Sequence, residues 1–380
     1  MTSVAVPVSL DRERHLEPSL IGRLFGMAIA VRLALWGIGL AVTGYLAAPL
    51  GPALFLWNRW DAPHYLDIAR FGYAARGQDA LWIAFFPMYP FLVRLFSALF
   101  GNLILSGLLV SLVTAVGCAY VLTKLVALDG TSEEANRAAI LLFAFPTAYF
   151  LAAPYSEGIF LFSVLAALYA GRTKHWAAAG LFAAMATASR LVGLAVLPAL
   201  AVEALWPLTN MREQIKRLAA ISVGLMGFVT YLAINASAYG DPLHFLVAEK
   251  GRPWFQHAVW PWRPIFQAWS QIVYPRATGT WFWFVYPARL GALALAVGVM
   301  IWGWRRMRLS DHIFAWTALG LSLMESRLIS LPRYILALYP IPMILAYKLK
   351  NRAAFWSVVG VCCALQAYLF SRYALALWAF

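Results

Sequence analysis

The chain has 380 residues, 63% of them hydrophobic and only 12% charged, a composition that excludes a water-soluble globular enzyme. Its 30 Lys and Arg against 16 Asp and Glu give a formal charge of +14. In a soluble chain that excess would suggest nucleic acid, but membrane proteins collect cations in cytoplasmic loops for reasons unrelated to ligands. Cys118, Cys362 and Cys363 lie in apolar runs and have the spacing of neither a disulfide framework nor a metal site.

A bilayer core needs about 20 apolar residues of helix, because every backbone amide must be bonded internally. In chain order such runs fall near 20–48, 103–128, 137–153, 156–171, 174–189, 190–206, 218–238, 283–304, 311–330, 333–349 and 354–377. The expected fold is therefore all-α and polytopic, with about eleven transmembrane helices. The division of 174–206 rests on Ser189 and Arg190, which interrupt a run too long for one crossing. The first run is too long for a signal-peptide core and is expected to be retained.

Charge sets the orientation. With the N-terminus cytoplasmic, the inner connections carry Lys124, Arg137, Arg172, Lys174, Arg212, Lys216, Arg217, Arg305, Arg306, Arg308, Lys348, Lys350 and Arg352, whereas the short outer turns carry Arg190, Arg327 and Arg333. Two long segments, 49–102 and 239–282, then face outward. Both are rich in Trp, Tyr, Phe and Pro and read as interfacial structure, with 84–100 as an amphipathic helix lying along the surface. Making 84–100 a span instead would reverse everything downstream and spoil the charge alternation. No repeat or linker marks a second domain, so residues 1–380 are expected to form one transmembrane domain, in the plasma membrane of a prokaryote.

The acids are few enough to sort individually. Asp11, Glu13, Glu17, Asp129, Glu133, Glu134, Glu203, Glu213 and Asp311 fall at the cytoplasmic face, where solvated acids in basic loops need no special role. Asp61, Asp67, Asp79, Glu157, Asp241, Glu249 and Glu325 fall at the outer side. The densest constellation surrounds the first of these: Trp57-Asn58-Arg59-Trp60-Asp61-Ala62-Pro63-His64-Tyr65-Leu66-Asp67, then Phe71-Gly72-Tyr73 and Phe85-Phe86-Pro87-Met88-Tyr89-Pro90. Asp61 can N-cap a helix over 62–70 with His64 one turn on. Alternatively, as a partly desolvated carboxylate at an aromatic-lined surface, it can take a proton from a hydroxyl. Spacing alone leaves both readings open.

Arg59-Trp60-Asp61-Ala62 with Tyr65 and Ala69, Gly72-Tyr73 and the Phe85–Pro90 run together resemble the N-terminal signature of the PIG-V family, the GPI mannosyltransferase 2-like group of integral-membrane GT-C glycosyltransferases. Pro154-Tyr155-Ser156-Glu157 and Ser189-Arg190-Leu191-Val192-Gly193 resemble later segments of that family, so the likeness runs through roughly the first 200 residues in order. The second half shows only a general likeness, in Arg252-Pro253-Trp254 and Pro332-Arg333-Tyr334.

The resemblance implies inverting transfer of a sugar, commonly mannose, from a polyprenyl-phosphate donor to a lipid or glycan acceptor at the extracytoplasmic face, with Asp61 as general base. No metal or other cofactor is expected, since Arg or Lys can stabilise a phosphate leaving group. Membrane lipids and the two substrates are the expected partners, and nucleic acid is not. Candidate phosphate holders are Arg190, Arg333, Lys250, Arg252 and His64. For Arg190 and Arg333 the alternative is an ion pair with Glu157 or Glu325; for Lys250 and Arg252 it is anchoring to lipid headgroups. Candidate sugar or acceptor contacts are Trp60, Tyr65, Tyr155, Glu157, Trp254, His257 and Tyr334. The Trp254, Trp260, Trp262, Trp269, Trp281 and Trp283 series reads either as sugar-stacking surface or as an interfacial belt. No His-x-x-x-His pair, P-loop or Gly-x-Ser-x-Gly elbow occurs. The rival function is a polytopic transporter or lipid flippase, which would place polar residues near mid-bilayer in matched halves.

Overall fold

The computed structural model describes residues 10–46, 49–73, 77–206, 210–274 and 280–380, without the side chains of 10–18, 50, 52, 78, 79 and 280–283. The side chains of Asp11, Glu13, Glu17, Asp79, Trp281 and Trp283 thus lie outside the described residues. Apart from one isolated bridge between Ala258 and Glu325, the described residues form helices and loops.

The helices run α1 (Leu10–Thr43), α2 (Leu50–Phe55), α3 (Ala62–Phe71), α4 (Met88–Phe100), α5 (Leu103–Ala127), α6 (Ser132–Ala144), α7 (Glu157–Arg172), α8 (Trp176–Thr187), α9 (Val196–Leu205), α10 (Met211–Ser222), α11 (Met226–Tyr239), α12 (His244–Lys250), α13 (Trp262–Val273), α14 (Thr280–Trp302), α15 (Leu309–Leu323), α16 (Leu331–Ile335), α17 (Pro340–Lys348) and α18 (Arg352–Ala374). Local chemistry fixes several starts. The Asn102, Asn210 and Asn351 side chains accept backbone N–H bonds at the heads of α5, α10 and α18, and Thr131 with Glu134 forms a capping box on α6.

Among the described residues, five stretches are long and apolar enough to cross a bilayer: Ser19–Thr43, Leu103–Ala127, Met211–Tyr239, Phe284–Trp302 and Arg352–Ala374. The other expected runs contain shorter or broken helices. The 137–153 run stops at Ala144 and continues as a 3-10 turn over Ala148–Leu151; 311–330 stops at Leu323; and 333–349 divides into α16 and α17. The break at Ser189 and Arg190 is present, between α8 and the 3-10 turn Leu191–Ala195 that leads into α9. At 13 residues, α4 is ~20 Å long, short of a ~30 Å hydrocarbon core.

These short helices form the interior. Nearly all of α7 is buried, as expected of a helix that is apolar all round, whereas only 17% of the spanning part of α1 is. Small residues allow close approach. A Cβ at Gly180 would lie 2.0 Å from the Ala220 carbonyl oxygen, and one at Gly227 would lie 1.9 Å from that of Ala184, so α8 packs backbone to backbone on α10 and α11. This core brings the starts of α3 and α7, the end of α8 and the short α16 together.

Candidate active site

Asp61 stands at the N-cap position of α3, but its backbone is helical (φ −76°, ψ −19°) and its side chain caps nothing. Instead Asp61 Oδ2 accepts a hydrogen bond from Arg333 Nη1 at 2.6 Å. A charge-assisted bond to a buried guanidinium is stronger than an exposed cap, which accounts for the departure from the capping reading. The backbone N–H of Asp61 donates to the Tyr155 hydroxyl at 3.1 Å, and that hydroxyl donates to the Arg59 carbonyl at 3.0 Å. Tyr373 donates to the Trp57 carbonyl at 2.8 Å. Two buried tyrosines thus hold the backbone of the Trp57–Asp61 turn.

Arg333 lies 3.1 Å through Nε from Glu157 Oε1, which also accepts from Arg190 Nη1 at 2.6 Å. The result is a chain of charges, Asp61, Arg333, Glu157, Arg190, drawn from four separated segments. It is largely removed from solvent: side-chain exposure is 24% for Asp61, 10% for Arg333, 5% for Glu157 and 16% for Arg190. Aromatic faces complete the enclosure. The Arg333 guanidinium sits 5.3 Å from the Phe150 ring, 5.6 Å from Tyr155 and 5.5 Å from Tyr334, and Arg190 sits 4.8 Å from Tyr334. Tyr65 and Ser156 hydroxyls bond at 2.8 Å, and burial together with nearby Glu157 pushes the Tyr65 phenol up, so it stays a hydroxyl. Glu157 Oε2 is buried with no hydrogen-bond partner. A narrow, mostly apolar cleft opens beside Glu157, Arg190, Arg333 and Tyr334, bordered by Phe160 and Leu319.

The other residues singled out in the sequence lie around this chain. The His64 ring packs 5.4 Å from Trp82 and 5.3 Å from Phe85, and Phe85 contacts Tyr65 at 5.0 Å and Trp254 at 5.8 Å. Trp254 therefore ties the second outer segment to the first. Trp60 is exposed and meets Trp378 edge-on at 5.4 Å. Lys250, Arg252 and His257 are exposed. The stretch 256–259 is laced to 324–326, with Val259 N–H donating to the Met324 carbonyl at 2.8 Å and Ser326 N–H to the His257 carbonyl at 2.9 Å.

Both arginines take the ion-pair alternative with Glu157, Arg333 pairing with Asp61 as well, and neither pairs with Glu325 among the described residues. Glu325 instead accepts from Gln256 Nε2 at 3.3 Å. Burial, reinforced by the charge of Glu249, raises its carboxyl to about 8, and burial raises Glu249 to about 7. Asp241 accepts the Leu243 N–H at 2.9 Å in a local turn. Several inner acids are more than solvated loop residues, since Glu134, Glu203 and Asp311 are buried. Among the described residues, no three His, Cys, Asp or Glu side chains gather as a metal cluster. The sequence reading passed over Arg289 of α14, which is 7% exposed; a lone arginine inside the 283–304 apolar run was the available signal.

Residues 42–260, more than half of the chain, match the family model described as Mannosyltransferase (PIG-V). GPI alpha-1,6-mannosyltransferase 2 of Cricetulus griseus is 36% identical over 149 residues, 36% of this chain and 29% of that protein. The Mus musculus protein of the same name is 30% identical over 226 residues, 51% of this chain and 45% of its own length. The match thus spans under half the length of these relatives. Among solved structures, the apo oligosaccharyltransferase of Archaeoglobus fulgidus aligns with a TM-score of 0.47 and 13% identity, over 93% of this chain and 56% of that one. Asp61, Tyr155, Glu157 and Arg190 fall inside the matched region and Arg333 outside it. By the extent of the family match, the chain is a membrane protein of the PIG-V mannosyltransferase family.

Proposed function

We propose that the chain transfers mannose from a polyprenyl-phosphate donor to a lipid or glycan acceptor, with inversion, at the extracytoplasmic side of its membrane. One observation supports this reading above the others: Asp61, within the family-matched segment, forgoes its helix cap for a bond to Arg333, which Glu157 links to Arg190. The cost of removing four charges from water is not explained by local structure. It is explained if the chain of charges holds a carboxylate in place to receive a proton.

In this mechanism Asp61 accepts the proton of the acceptor hydroxyl as the oxygen attacks the anomeric carbon, and the phosphate carrier leaves from the opposite face. Arg333 fixes the carboxylate through Oδ2, leaving Oδ1 for the hydroxyl. Glu157 holds both guanidinium groups through Oε1 and presents the unpartnered Oε2 to a sugar hydroxyl. Remaining N–H groups of Arg190 and Arg333, with Lys250 and Arg252, meet the developing phosphate charge. Aromatic residues Tyr155, Tyr334, Trp254 and Trp60 bound the sugar and acceptor, and His64 and His257 flank them.

The test is transfer by purified protein from labelled polyprenyl-phosphate mannose to lipid acceptors. Asp61→Asn, which can keep a bond to Arg333, should reduce transfer by roughly 10²–10⁴-fold while binding donor normally. Full activity in this variant would remove Asp61 as the base, and movement of intact lipid across vesicles without transfer would favour a flippase.

A further inference from the structure

Arg289 belongs to a membrane-spanning helix yet has no acidic partner among the described residues. It lies five residues into the apolar window that begins at Phe284, ~7.5 Å along α14. Its side chain is 7% exposed. Among the described residues its polar contacts are one long hydrogen bond, Nη2 to the Ile329 carbonyl at 3.3 Å, and the face of the Tyr286 ring at 5.3 Å. Nε is buried without a hydrogen-bond partner. Arg327, a like charge, stands two residues before Ile329, whose carbonyl Arg289 bonds. Arg327 is exposed and lies 5.6 Å from the Phe255 ring.

Arg32 of α1 is a second intramembrane arginine, and it too has a buried Nε without a hydrogen-bond partner, but its terminal nitrogens are better served. Its guanidinium bonds the Leu151 carbonyl at 2.6 Å and the Ala28 carbonyl at 3.5 Å. Arg289 has no comparable short bond, and its neighbour adds charge of the same sign. A buried cation in hydrocarbon persists only with a counter-ion or enough acceptors. The missing group must carry negative charge, offer several acceptor oxygens, and reach this depth from the bilayer. A phosphate ester on an apolar tail meets all three conditions, and a guanidinium fork matches its oxygens.

We infer that Arg289, with Arg327, holds the phosphate group of a membrane lipid at the N-terminal end of α14. The shared chemistry is a phosphate anion with hydrocarbon chains, whether on a polyprenyl carrier or on a phospholipid headgroup. The site is distinct from the Asp61–Arg190 chain, where each arginine already has a carboxylate.

The test uses the full chain in phosphatidylcholine nanodiscs doped with polyprenyl monophosphate or with phosphatidylglycerol. Native mass spectrometry then reads the lipid retained on the protein. Wild type should retain an anionic lipid, Arg289→Gln should retain it at least about tenfold less tightly, and Arg289→Lys should fall between. Selective retention of polyprenyl monophosphate identifies the carrier, selective retention of phosphatidylglycerol identifies a headgroup site, and equal retention means that the phosphate alone is read. No retention of either lipid by wild type, or equal retention by Arg289→Gln, overturns the inference. If Arg289→Gln does not fold, the exposed Arg327→Gln decides: weakened retention supports the site and unchanged retention overturns it. Because the readout is binding, Asp61→Asn should retain lipid like wild type, so a failure of the mannosyl-transfer reading leaves this result interpretable.

Discussion

Among the described residues, two networks of acids and arginines can be compared, and their construction differs. In the first, Asp129 pairs with Arg172 and lies 3.6 Å from Arg308, which reaches Glu203 at 3.3 Å. Each acid there sits beside local structure: Asp311 accepts the Arg308 N–H in a capping box at the head of α15 and binds the Tyr339 hydroxyl, while Glu203 accepts from Ser310. Arg308 and Asp129 are 43% and 40% exposed. In the second network, Asp61, Arg333, Glu157 and Arg190 come from separated segments, the four side chains are at most 24% exposed, and Asp61 gives up the cap its position offers. Solvent screening weakens the contact of Arg308 with Asp129, although Arg172 and Glu203 at the edges of this network are only 4% and 9% exposed. Burial makes the second costly to break, because removing one partner strands another charge in low dielectric.

The largest stability difference between the networks should follow truncation of their arginines. Arg333→Ala strands Asp61 and half-strands Glu157, and should cost about 3–5 kcal/mol, read as a lower melting temperature of the detergent-solubilised protein. It should also lower transfer sharply. Glu157→Gln leaves two guanidinium groups sharing a neutral amide, so a loss of both activity and stability is expected there too. If either variant melts like wild type, the buried network is not costly to break. Donor titrations sharpen this further: Arg333→Ala should weaken donor use more than acceptor use, and equal effects on both would argue against a phosphate contact.

Much of the second network was readable before the fold was known, for a physical reason. Acids are so few that aromatic context around Asp61 and arginines at span edges stand out, and Glu157 and Arg190 each interrupt apolar runs. The pairing itself was not readable. Capping is the ordinary use of Asp before a helix, and only the position of Arg333, 272 residues away in sequence, shows that a stronger partner displaces it. Hydropathy places the 156–171 run almost on α7 (Glu157–Arg172) but carries the 137–153 and 311–330 runs past the ends of α6 and α15, because an apolar loop after a helix reads like more helix. Arg289 interrupts the 283–304 run as Arg190 interrupts 174–206, but that run is short enough for one crossing, so nothing calls for a break there. Glu249 and Glu325 become neighbours only when the second outer segment folds onto the loop after α15.

That last pair gives a smaller, pH-dependent effect. Glu325 is raised to about 8 by burial first and by Glu249 second, from an ordinary value near 4.5. The folded state therefore holds the proton more tightly than the unfolded chain. Its contribution to stability is fully present below about pH 4.5, declines as pH rises, and is lost above about 8. Wild type should melt progressively lower from pH 5 to pH 9, and Glu325→Gln should flatten this dependence and melt higher than wild type at pH 9. Identical slopes in the two proteins would show that Glu325 is not held protonated.

The smallest effect belongs to the first network and completes the contrast. Arg308→Ala removes contacts to Asp129 and Glu203, but Asp129 keeps Arg172 and Glu203 keeps Ser310. Arg308 itself is well exposed, and Glu203, though only 9% exposed, retains its hydroxyl donor, so the loss should be about 1 kcal/mol, below that of Arg333→Ala. Added salt should reduce even that difference, since exposed pairs are screened over ~10 Å at 0.1 M. Salt should leave the Arg333→Ala deficit nearly unchanged, because water and ions do not reach that site freely. Melting both variants in low and high salt therefore tests the distinction directly. A salt-sensitive Arg333→Ala deficit would mean that the charges around Asp61 are as solvated as those around Asp129, and the argument from buried charge to catalytic carboxylate would fail with it.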